Sequence, residues 1–203
     1  MKFFQENLYH VYNRGNLSNP IFFDEENYLF FLKKMKIHLS PYCEILAWCL
    51  MPNHFHWMIY VKNHTESESH DSLPNSEPVV ELNKNIGILL RSYTRAVNKK
   101  YKKQGSLFQQ KTKSKDLNDD FTSRDDYPLT CFLYIHQNPL RSGLENQLGE
   151  WEFSSYKDFT GVRNGKLCNL ELARELLDLP DNSRLFHKLS RRTIDKDKLK
   201  KLF

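Results

Sequence analysis

The sequence predicts an α+β fold of the ferredoxin-like, split βαβ type, an antiparallel sheet with two helices packed on one face. Three observations lead there. Residues 54–61 alternate as a strand and follow a second strand-like run across a tight Pro52-Asn53 turn. Two long stretches, from Asp24 to about His38 and from about Val79 to Tyr101, carry apolar residues at helical spacing. The order of these pieces along the chain is β-α-β-β-α-β.

The first element, Tyr9 to Gly15, reads as a short strand closed by glycine. Asp24 can cap the first helix, whose buried stripe is Tyr28, Phe31, Leu32 and Met35, and Pro41 follows its stop. Glu44–Met51 and His54–Val61 form a hairpin. Lys62–Glu77 is polar and aperiodic, as a surface loop would be. The second helix presents Leu82, Ile86, Leu89, Leu90, Tyr93 and Val97. Ser106–Lys113 is expected as the fourth strand. Asp119–Gln137 reads as helical in its second part, starting near Pro128, with Asn138-Pro139 interrupting it. The domain extends over residues 1–160, and residues 161–203 form a helical and basic C-terminal extension that includes a helix at Leu170–Leu177.

A chain of 203 residues with 39% hydrophobic and 27% charged residues suits one globular domain. No apolar run approaches the ~20 residues that cross a bilayer, which argues against a membrane protein. The N-terminus lacks the pattern of an export signal, and Cys43, Cys49, Cys131 and Cys168 show no Cys-x-x-Cys spacing. Free thiols in a cytoplasmic setting are therefore expected. The net charge of +5 is unevenly spread. Residues 91–115 hold nine Lys or Arg and no acid, namely Arg91, Arg95, Lys99, Lys100, Lys102, Lys103, Lys111, Lys113 and Lys115. Tyr93, Tyr101 and Phe108 are interleaved with them. Such a stretch suits phosphates and unstacked bases, although a solvated helix face has the same composition.

Two constellations carry chemistry. In the third strand His54, His56, Met58 and Tyr60 share one face, and Phe55, Trp57, Ile59 and Val61 the other. The odd set belongs under the helices, so the histidines should face the open side of the sheet, close enough to hold one metal ion. Taken alone, a His-x-His pair is more often an ordinary half-exposed strand than a metal site. In the later helix Tyr134 and Asn138 lie four residues apart on one face. A tyrosine hydroxyl with a pKa of about 10 becomes a competent nucleophile when a cation polarises its target phosphate. Singly, Tyr134 reads as a core aromatic and Asn138 as a helix stop before proline; those readings leave their company unexplained.

Five segments, in order, carry a family resemblance: Tyr9-His-Val-Tyr-Asn-Arg-Gly, Ala47-Trp-Cys-Leu-Met-Pro-Asn-His-Phe-His, Gly105-Ser-Leu-Phe-Gln-Gln, Tyr134-Ile-His-Gln-Asn-Pro-Leu-Arg-Ser-Gly and Trp151-Glu-Phe-Ser-Ser-Tyr. The chain resembles the REP-associated tyrosine transposases, within the single-tyrosine HUH endonucleases. That resemblance implies a divalent ion, Mg²⁺ or Mn²⁺, on His54 and His56, Tyr134 as the nucleophile, and Asn138 as third ligand. Some relatives carry a glutamine four residues after the tyrosine, and Gln137 here stands three after it. The implied substrate is single-stranded DNA that folds into a hairpin beside the cut, handled by a monomer or homodimer. The reaction leaves a 5′-phosphotyrosine link and a free 3′-hydroxyl. Arg91, Arg95, Lys99, Lys100, Lys102, Lys103, Lys111 and Lys113 are expected to hold phosphates, and Arg141 to reach the strand near the cut. A non-catalytic nucleic-acid-binding protein and a metal-dependent hydrolase using the same histidines are the competing readings.

Overall fold

The computed structural model describes residues 1–63, 79–118 and 127–202. The strands are β1 (Leu8–Arg14), β2 (Cys43–Met51), β3 (His54–Val61) and β4 (Lys113–Asp116), and the long helices are α1 (Glu25–Leu39), α2 (Val80–Tyr101) and α3 (Tyr127–Arg141). All strand pairs are antiparallel and the sheet order is β2-β3-β1-β4. This is the split βαβ arrangement. Most of the expected 62–77 loop, and the 119–126 part of the expected late helix, lie outside the described residues.

Local chemistry sets these elements. Asp24 caps α1, its carboxylate accepting from the Asn27 backbone N–H at 2.9 Å, with Glu25 and Glu26 in the first turn where the helix dipole favours acids. Val11, Phe55, Trp57 and Ile59 turn to the α1–α2 side and are buried with Phe31, Met35, Leu82, Ile86 and Tyr93. Burying each such side chain stabilises the fold by about 1.5–3 kcal/mol.

The other sheet face is not open, as expected, but covered. Leu8, Leu46, Ala47 and Met58 meet α3 and a C-terminal series made of α4 (Tyr156–Phe159), α5 (Leu170–Leu177), α6 (Ser183–Ser190) and α7 (Lys196–Lys201) in a second core. The cause is the apolar character of that face, which water would otherwise meet. The described part of the C-terminal extension therefore shares a core with the sheet: Ala173, Phe186 and Leu202 are fully buried.

A bulge in β2 accounts for part of this. Ile45 pairs with Ile59 and Ala47 with Met58, so Leu46 is an extra residue. Before it the odd residues face α1 and α2. Beyond it Trp48 and Leu50 do so, while Cys49 and Met51 turn to the second core. The outer edge of β2 is itself covered: Leu50 N–H donates to the Phe153 carbonyl at 2.8 Å and Ser155 N–H to that of Trp48 at 2.9 Å. The Trp151–Tyr156 segment thus closes an exposed ladder.

Two expectations need correction. The fourth strand is Lys113–Asp116, not Ser106–Lys113. Phe108 is drawn into the first core and makes only an isolated bridge to Gly15, and regular pairing with β1 resumes at Lys113 opposite Tyr12. Pro139 does not end α3, which continues to Arg141. The proline lacks only its own N–H, and the Asn138 and Pro139 carbonyls still accept from Ser142 and Leu144 at 3.0 and 2.9 Å.

Candidate functional site

The cleft begins where β3 leaves its turn. Antiparallel register sets Tyr12 opposite His56 and Arg14 opposite His54 on one side, and Cys49 and Met51 opposite the same histidines on the other. α3 crosses this corner and brings Tyr134 and Asn138, one helical turn apart, to the histidines. The four side chains line a cleft of about 390 Å³ together with Tyr12, Asn13, Arg14, Gln109, Lys111, Lys113 and Ser142.

Both histidines are fixed from behind. His54 Nδ1 lies 2.6 Å from Asn53 Oδ1, and His56 Nδ1 lies 2.9 Å from His10 Nε2. With Nδ1 engaged on each ring, Nε2 is the nitrogen each can offer to a cation. The two rings stand at 85° with centroids 5.1 Å apart, and Tyr134 stands edge-on to His56 at 5.4 Å. The Asn138 amide interacts with both His54 and the Tyr134 phenol. Ser142 Oγ donates to the Asn138 backbone carbonyl at 2.8 Å.

Burial dominates the electrostatics. It pushes the His54 pKa down to about 4, that of His10 to about 3, and that of His56 well below its ordinary value, with Arg14 opposing charge on His54 and His56. All three rings are neutral at pH 7, the form that binds metals. The Tyr134 phenol is pushed up to about 12 by burial, against smaller opposite effects of Asn138 and Arg141. It is therefore a hydroxyl, not a phenolate, at neutral pH. Among the described residues no group of three His, Cys, Asp or Glu side chains gathers in a metal-holding arrangement. The cleft offers instead two neutral imidazoles and an amide, a donor set that suits a divalent ion whose shell is completed by substrate or water oxygens.

The sequence-predicted residues separate in space. Tyr134, His54, His56, Asn138, Lys111 and Lys113 share the cleft. Gln137 does not: its amide donates to the carbonyls of Ser190 and Arg192, both at 2.8 Å, on another side of α3. Arg91 and Arg95 line a second groove of about 660 Å³. A wall formed by residues 109–112 divides it from the cleft, tied down where Asn13 Nδ2 donates to Gln109 O at 3.2 Å and Thr112 Oγ1 at 2.9 Å. Lys100 is paired with Asp24 at 2.7 Å and Glu26 at 2.6 Å, and Lys103 lies 3.8 Å over the Phe23 ring. Lys99 is exposed, and Lys102 ends α2 in a left-handed conformation. Arg141 belongs to a third groove at the far end of α3.

His10, Tyr12, Arg14 and Asn53 were not anticipated. The signal for three of them was present, since alternation in β1 sets even residues on one face just as it does in β3.

No family model matches the chain, and no curated protein matches it. Among solved structures it is similar to a REP-associated tyrosine transposase bound to a REP hairpin, at 14% identity and a TM-score of 0.57, over 79% of this chain and 83% of that one. At this identity the likeness is one of fold, and it extends over most of both chains.

Proposed function

We propose that the protein is a transposase-like enzyme that cuts and rejoins single-stranded DNA through Tyr134. One observation carries the reading: Tyr134, Asn138, His54 and His56, from two distant parts of the sequence, line one cleft with Lys111 and Lys113. The neighbour of similar fold is a tyrosine transposase bound to a REP hairpin, which agrees with it.

In this reading Lys111 and Lys113 neutralise the strand's phosphates and bring a scissile phosphate against Tyr134. His54, His56 and Asn138 would hold Mg²⁺ or Mn²⁺, which supplies charge withdrawal from a non-bridging phosphate oxygen. The Tyr134 oxygen forms a bond to phosphorus as the bond from phosphorus to the 3′-oxygen breaks. The phenolic proton is given up and the leaving 3′-oxygen gains one, so a 5′-phosphotyrosine ester and a 3′-hydroxyl result. Attack by another 3′-hydroxyl reverses the step. The ester retains the bond energy, and no nucleotide is hydrolysed. Asn138 acts on the phenol in the direction that favours its ionised form, a smaller effect than the burial that opposes it.

The test is a denaturing gel of the protein with single-stranded, hairpin-bearing DNA and Mn²⁺. A slow, protease-sensitive species is expected, and Tyr134→Phe should abolish it while leaving DNA affinity in place. Cleavage with a plain 5′-phosphate product and no adduct would favour a water-activating hydrolase. Binding without any cleavage would favour a non-catalytic DNA-binding protein.

A further inference from the structure

We infer that Arg14 is a catalytic residue of the proposed reaction, its guanidinium holding the non-bridging oxygens of the scissile phosphate while Tyr134 attacks. This role presupposes that the cleft is the DNA-cutting site. Arg14 lines that cleft with His54, His56 and Tyr134. Antiparallel register sets it directly opposite His54, and side chains so paired stand with their Cβ atoms about 4.5–5.5 Å apart. Its positive charge is felt at both histidines, where it opposes their protonation. Arg14 is exposed and forms no salt bridge among the described residues. No carboxylate among the described residues lines the cleft to compete for it. A guanidinium so placed is left for an anion brought from outside.

The backbone that carries Arg14 is fixed in advance. Its N–H donates to Asn13 Oδ1 at 2.7 Å, its carbonyl accepts from Gln109 N–H at 2.8 Å, and Gly15 N–H donates to the Asn53 carbonyl at 2.8 Å. Asn53 is also the residue whose side chain meets His54 Nδ1, so one turn sets the arginine against the histidine. The lysines of the cleft suit a different task. Lys113 pairs across the sheet with Tyr12, not with a histidine, and its Nζ lies 5.7 Å from the Tyr12 ring centroid. An ammonium is a point charge on a flexible stem, whereas a guanidinium offers parallel N–H donors to two oxygens at once. In the reaction a bond forms from the Tyr134 oxygen to phosphorus and the bond from phosphorus to the 3′-oxygen breaks. The phenolic proton leaves and the 3′-oxygen gains one; Arg14 moves no proton. It stabilises the charge that gathers on the phosphate oxygens as those bonds exchange, where donors fixed beforehand count most.

The experiment measures adduct formation in a single turnover, with saturating hairpin-bearing DNA and Mn²⁺, for the wild type, R14A and R14K. The hydrogen bonds that hold Arg14 are made by its backbone, so both variants retain the fold. R14A should be slower by about 10²–10³-fold, and R14K should resemble R14A more than the wild type. In a Y134F background, where no cutting intervenes, R14A should lower DNA affinity by at most about tenfold, as one phosphate contact allows. Calorimetric Mn²⁺ affinity should be unchanged or higher, since a positive charge beside the histidines is removed. A methylphosphonate at the scissile position removes the charge of one oxygen, so in one of its two diastereomers the gap between wild type and R14A should close to about tenfold or less. A gap undiminished in both diastereomers, or weaker Mn²⁺ binding by R14A, overturns the catalytic role. Equal adduct rates in wild type and R14A overturn Arg14 alone and leave the cutting reaction standing. Absence of any adduct in the wild type overturns both.

Discussion

At the scale of single residues, the cleft depends on neighbours that stand behind its lining. His10 is fully buried and meets His56 Nδ1 at 2.9 Å, so it fixes which nitrogen of His56 points away. His10→Ala leaves that nitrogen buried without its partner, a loss of about 1–3 kcal/mol, seen as a lower urea midpoint in the metal-free protein. In calorimetric titration with Mn²⁺ the same variant should bind about 10–100-fold more weakly. Lost stability with unchanged Mn²⁺ affinity would reduce His10 to a packing residue. That His54 and His56 share one strand face, and Tyr134 and Asn138 one helix face, was legible because alternation and helical spacing are local rules. That His10 joins them was equally local, but its partner lies 46 residues away in sequence and register had to be known first.

Among the elements, α2 shows how a basic stretch divides its labour. Its apolar side packs under the sheet, Lys100 is paired with the start of α1, and Arg91 and Arg95 line a groove beside the 109–112 wall. R91A/R95A should therefore lower the salt slope of single-strand binding by about 0.7 for each contact removed. Lys100→Ala should leave that slope unaltered and lower only the thermal midpoint, slightly. A slope that responds to Lys100 alone would mean the DNA displaces its carboxylate partners. The approximate limits of α1, β3 and α2, and the Asp24 cap of α1, could be read from the sequence because hydrophobic period and capping chemistry lie within each segment. The bulge at Leu46, the relocation of β4 and the passage of α3 through Pro139 could not, since each is decided by a partner strand or helix distant in the chain. The covered second face was hidden for the same reason: the C-terminal series that covers it has short helices with no strand-like signal of where they dock.

For the whole molecule, two cores on either side of one sheet fix how stability depends on pH. His10 and His136 are buried, and burial lowers both pKa values to about 3. His136 is held neutral against Ser155 Oγ at 2.7 Å, linking α3 to β2 through the Trp48 backbone. In the unfolded chain these rings titrate near 6.5. The folded pKa is the lower one, so their contribution is complete above about pH 6.5 and is lost as pH falls towards 3. Each adds on the order of 1 kcal/mol per pH unit to the slope within that window. Urea unfolding of the metal-free protein at pH 7, 6 and 5 should show a steady fall in stability. A flat profile would mean that the rings carry protons in the folded state.

The position of α3 has a mechanical consequence. Tyr134 occupies one side of a helix whose Phe132, Ile135 and His136 are sealed in the second core and whose Gln137 is tied to the C-terminal series. Carrying the phenol anywhere would mean unpacking that core. In a strand-joining reaction the fixed part is then the protein and the travelling part is the nucleic acid: the outgoing 3′-end must leave and an incoming one must take its place before a stationary ester. In the proposed reaction the order of events would be set by how fast DNA ends exchange and refold, with the protein serving as anvil rather than as carrier.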